Sequence, residues 1–166
     1  MNAILTVVLT LAAVNVAVCQ DREVLSSSAE CDSLAAHLSR HADSLDIVYI
    51  GRFLNSFADA TCANNVEYSE WANEFLFDLM DRQPQSFYAV LFSLSERSFS
   101  AVQHETMHPV NDGIDVISIF HRLQKSNLDK ALKSKATTFL RPAYLLQREE
   151  IDAWEKKNHK KWQFPH

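Results

Sequence analysis

Apolar residues recur along most of this chain at intervals of three and four, the period of a helix with one buried face. The pattern is clearest over 66–82. There Tyr68, Trp71, Ala72, Phe75, Leu76 and Leu79 make a broad apolar face, while Glu67, Glu70, Glu74, Asp78 and Asp81 fall on the opposite side. The same period predicts a helix near 28–41, opened by the capping-box spacing of Ser27 and Glu30. A second runs over about 47–60, and residues 61–65 read as a loop in which Asn64 or Asn65 caps the next helix. Pro84 suits the first turn of a helix reaching about Glu96, and a short one holding Phe99, Val102 and Thr106 follows.

Asn111-Asp112-Gly113 reads as a turn and a new cap before Ile114, Ile117, Phe120 and Leu123. Ser126-Asn127 opens a further helix, which Arg141-Pro142 is expected to break. The last helix spans about 143–158, leaving 159–166 as a mobile basic and aromatic tail. Seven or eight helices with short links and no convincing strand predict an all-α single domain over 20–158. It is a bundle or a short stack of antiparallel hairpins.

Composition narrows this further. With 2 Gly and 4 Pro the chain is too poor in turn formers for a β-sandwich or barrel. Residues 1–19 read as a cleaved signal peptide: an apolar run over 4–14, too short to span a bilayer, then the small residues Ala17 and Cys19 around Val18. The expected location is therefore secreted or extracytoplasmic, not transmembrane after cleavage. A lipoprotein anchored through Cys19 is the alternative. Cys31 and Cys62 then remain as an even pair, the composition of one disulfide.

Charge is unevenly placed. Residues 20–118 carry 5 basic and 16 acidic side chains, and residues 119–166 carry 11 basic and 5 acidic. This polarity points to binding by charged faces. One candidate is the acidic stripe Glu67, Glu70, Glu74 and Asp78. The other is the tail, where Lys156, Lys157, Lys160 and Lys161 alternate with Trp154, Trp162 and Phe164. Basic residues among aromatics suit an anionic surface, with nucleic acid the least fitting target for a secreted chain. The 10 Phe, 4 Tyr and 3 Trp also allow a cavity for an apolar ligand, although filling the core is their commoner use.

One segment resembles catalytic chemistry. His104-Glu105-Thr106-Met107-His108 satisfies H-E-x-x-H, in which one helix presents two imidazoles to zinc and the Glu polarises the bound water. Pro109 disfavours helical geometry at His108, and Ile114 stands where the longer form of the motif has its third histidine. On a helical wheel both His fall opposite Phe99, Val102 and Thr106, toward solvent. A zinc-dependent hydrolase using His104, Glu105 and His108 is thus the disfavoured alternative. No nucleophile motif or glycine-rich phosphate loop is present, and nothing in the sequence calls for a cofactor. The leading expectation is an all-α protein that binds an unknown protein or anionic surface without catalysis. An apolar-ligand carrier comes next.

Overall fold

Short polar side chains start most of the helices. In the computed structural model, which describes residues 27–164, eight helices follow one another without a strand among them: α1 Ser28–Arg40, α2 Ile47–Ser56, α3 Ala60–Ala63, α4 Val66–Arg82, α5 Pro84–Leu91, α6 Glu96–Met107, α7 Val116–Lys125 and α8 Lys130–Asn158. The expected signal segment 1–19, with Cys19, lies outside the described residues, as do residues 165–166 of the tail. Asp46, Asp59, Asn65, Ser95, Asp115 and Asp129 each accept from a backbone N–H of the first turn that follows. Such caps satisfy donors that have no partner inside the helix.

Four local expectations change. Ser27 makes no side-chain cap; its carbonyl accepts from the Glu30 N–H at 3.0 Å, so the backbone already serves that donor. Residues 60–63 form a one-turn helix capped by Asp59, where a loop was expected. The Asn111 side chain does build a turn, accepting from the Gly113 N–H at 2.8 Å, but the cap of α7 is Asp115. The last helix opens at Asp129 and runs unbroken through Pro142. Proline there removes a bond to the carbonyl of Thr138, which lies on the exposed side of the helix. Beyond the proline, Ala143 is buried and Gln147 ties α8 to α7, donating to the Ile114 carbonyl at 2.7 Å and accepting from the Ile117 N–H at 3.1 Å.

Packing is centred on α4, which touches α1, α3, α5, α6 and α7, while α8 lies along α7. Two aromatic clusters fill the interior. Phe53 meets Phe57, Trp71 and Phe75, and Phe139 meets Tyr88, Phe92 and Phe99. The Cys31–Cys62 disulfide joins α1 to α3, with both residues fully buried. Among the described residues no helix is long and apolar enough to cross a membrane.

Tyr88 exposes a local cost of this core. Its hydroxyl is buried without a hydrogen-bond partner among the described residues, and burial pushes its pKa far above the ordinary tyrosine value. An unsatisfied buried hydroxyl is unfavourable, so Tyr88→Phe should raise stability by about 1 kcal/mol. A urea titration checks this, and a lowered midpoint would show that the hydroxyl is served after all.

Candidate functional site

The H-E-x-x-H segment closes α6, and the structure divides its residues between two environments. His104 and His108 are exposed, with ring centroids 4.4 Å apart. His108 is already outside the helix, at φ −132° and ψ 68°, as Pro109 requires. Glu105 turns the other way. Its Oε2 accepts from the buried Asn73 Nδ2 at 2.8 Å, while both imidazoles stay exposed. The three side chains therefore do not converge in the way a water-activating zinc centre needs. Among the described residues no group of three or more His, Cys, Asp or Glu side chains is arranged to hold a metal ion.

Asn73 is the residue that holds this segment. It is fully buried on α4. Its Nδ2 also lies 3.2 Å from the carbonyls of Glu105 and His108, and its Oδ1 accepts from the Val110 N–H at 3.1 Å. One amide side chain thus fastens the end of α6 and the loop after it to the central helix. Its signal in the sequence is a polar residue inside an apolar face, next to Ala72 and one turn before Leu76 and Phe77.

The acidic stripe of α4 is partly occupied from within. Asp78 accepts from Arg82 Nε at 2.7 Å, and the same guanidinium reaches Asp43 at 2.7 Å. These two hydrogen bonds, Asp43 first and Asp78 second, raise the Arg82 pKa. Asp81 pairs with Arg122 at 2.6 Å, and Glu74 accepts from the Asn111 side chain. Glu67 and Glu70 remain exposed. All these pairs lie near the surface, where each adds little stability.

The basic end of α8 is organised differently. After Gln147 most of the helix is exposed. His159 then takes the left-handed conformation, φ 52°, and turns the chain back. A non-glycine residue there costs about 1–2 kcal/mol, so contacts must hold the reversal. Glu155 supplies two of them. Its carboxylate accepts from Lys161 Nζ at 2.8 Å and from the Trp162 N–H at 2.9 Å. The Lys161 hydrogen bond, then the Trp162 N–H, lower the Glu155 pKa. Their contribution is present above the ordinary carboxylate pKa and lost as pH falls through the lowered one. The returning segment sets Trp162 edge-on to Trp154 at 5.0 Å and Phe164 edge-on to Trp162 at 6.2 Å. Lys156, Lys157 and Lys160 stay exposed beside this aromatic group and form no ion pair among the described residues.

Two spaces bear on ligand binding. An open groove of about 380 Å³ lies on the basic end, lined by Asp152, Glu155, Lys156, His159, Lys160 and Lys161. A cleft of about 50 Å³ lies between Ser56, Phe57, Cys62, Tyr68 and Ala72. Pockets for drug-sized ligands occupy about 300–1,000 Å³, so this apolar cleft holds little more than a water or two. Tyr68 beside it is already bonded to Ser56 at 2.7 Å, and burial pushes its hydroxyl up to about 12. No protein-family model matches the chain, and no curated protein or solved structure matches it.

Proposed function

We propose that this chain is an extracytoplasmic binding protein that engages an anionic partner through the basic, aromatic end of α8. The observation that carries this reading is the arrangement of Lys156, Lys157 and Lys160, which form no ion pair among the described residues, on the segment that carries the clustered rings of Trp154, Trp162 and Phe164. Lysines with no ion pair among the described residues are available to counter-charges, and the exposed Trp154 adds a large aromatic contact area. The acidic face is the weaker candidate, because Glu74, Asp78 and Asp81 already have partners of their own. An extracytoplasmic location is supported by the buried disulfide, which persists in oxidising compartments.

The chain's formal net charge is −5, so its overall charge opposes contact with a polyanion. Retention on a heparin resin must then come from a local patch. Untagged protein should be retained at low salt, and Lys156→Glu/Lys157→Glu/Lys160→Glu should pass through unretained. All three positions are exposed, and the reversal of charge in the last turn of α8 should cost about 1–2 kcal/mol, too little to unfold the domain. Equal retention of the two proteins would refute the assignment.

A further inference from the structure

We infer that His104 and His108 form a two-point chelate for a first-row divalent transition cation, with the two Nε2 atoms as ligands. This does not rest on the anionic-partner reading. Two imidazoles that bind one cation at about 2.0–2.1 Å must bring their ligand nitrogens within about 4 Å of each other. His104 lies in the last turn of α6 and His108 caps it, with ring centroids 4.4 Å apart. The tautomer is set as well. His108 Nδ1 lies 2.8 Å from the His104 carbonyl oxygen, which can only accept, so Nδ1 carries the proton and Nε2 the lone pair. A metal-binding histidine is commonly oriented in this way, by donating its other ring N–H to a backbone carbonyl.

The frame around the pair is rigid. Asn73 grips the Glu105 and His108 carbonyls and the Val110 N–H, so the ligand-bearing segment does not have to be ordered by the cation. Glu105 is turned onto Asn73, so it does not serve the pair as a general base. The site therefore binds a cation without serving as a hydrolytic centre. Both imidazoles are exposed, which leaves the remaining coordination positions to water or to a donor from a partner.

A second pair provides an internal comparison. His37 and His41 on α1 share the spacing, with centroids 4.7 Å apart. His37, however, is stacked on Tyr49 at 3.7 Å. Partial burial is the first cause that holds its pKa below the ordinary histidine value; the nearby guanidiniums of Arg40 and Arg52 lower it further and Asp46 opposes them. His37 would have to leave the Tyr49 ring to share a cation with His41, so the α1 pair is expected to bind more weakly.

The test is Zn²⁺ titration of untagged, ¹⁵N-labelled protein, read on the imidazole nitrogens by NMR. Calorimetry with Ni²⁺ is run on variants alongside it. Zn²⁺ should move the Nε2 signals of His104 and His108 first. His104→Ala and His108→Ala should each weaken Ni²⁺ binding by about a hundredfold, because a chelate becomes a single ligand. Glu105→Gln and His37→Ala/His41→Ala should bind as the natural chain does. The inference is overturned if Zn²⁺ first moves other histidines, if neither single variant weakens binding, or if no binding is seen. The NMR reading uses the unaltered chain, so it decides even if a variant fails to fold.

Discussion

Replacing Asn73 with alanine should lower the unfolding free energy by about 2–4 kcal/mol, among the largest effects expected of any single polar substitution here. Asn73 is fully buried, and its two Nδ2 hydrogens are shared among Glu105 Oε2 at 2.8 Å and the carbonyls of Glu105 and His108 at 3.2 Å each, while its Oδ1 accepts from the Val110 N–H. Each such bond contributes about 1 kcal/mol net, and the truncated residue also leaves groups near the surface to find water. Urea unfolding should show a lower midpoint with an unchanged slope, the mark of lost stability without a change in the surface exposed. Asn73→Asp should cost more than Asn73→Ala. It removes every donor and sets a second carboxylate against Glu105. A loss below about 0.5 kcal/mol for both variants would mean that the end of α6 is held by something else.

Removing the Cys31–Cys62 bridge should cost about 3–4 kcal/mol. The two residues are 31 apart in sequence, and closing a loop of that size restricts the unfolded chain by about this amount. In the folded state the bridge joins α1 to the one-turn helix α3, which is too short to be stable by itself. Stability of the oxidised protein and of Cys31→Ala/Cys62→Ala should differ by that amount. Adding a reductant should lower the oxidised protein toward the variant and leave the variant unchanged. Equal midpoints for oxidised and variant protein would contradict the pairing.

Features set by short-range pattern were legible in the amino-acid order. The apolar face of α4, an asparagine cap at 64 or 65 that the structure places at Asn65, Pro84 at the start of α5 and the exit of the chain from α6 at His108-Pro109 each follow from neighbouring residues. The exposure of His104 and His108 follows from the helical wheel. Features decided by distant partners were not legible. Whether Pro142 breaks a helix depends on Thr138 standing on the exposed side and on Gln147 reaching Ile117 and Ile114, 30 and 33 residues back in the chain. The inward turn of Glu105 depends on Asn73, 32 residues away. The basic and aromatic character of the C-terminal segment could be read directly. Its return along α8 could not, because that requires one carboxylate, Glu155, to meet both Lys161 and the Trp162 N–H.

The most direct measurement of the binding surface is the tryptophan emission of the untagged chain titrated with heparin and, separately, with phosphatidylserine vesicles. Two of the 3 Trp, Trp154 and Trp162, lie in the aromatic group, while Trp71 is stacked on Phe75 at 4.9 Å within the body. At about 20 mM salt at least one of the two ligands should shift the emission saturably. At about 0.5 M salt the shift should vanish, because exposed charges are then screened within a few ångströms. Lys156→Glu/Lys157→Glu/Lys160→Glu should show no shift under either condition. Emission that ignores both ligands at low salt, or a shift that survives high salt and the charge reversal, would contradict an anionic partner at the end of α8.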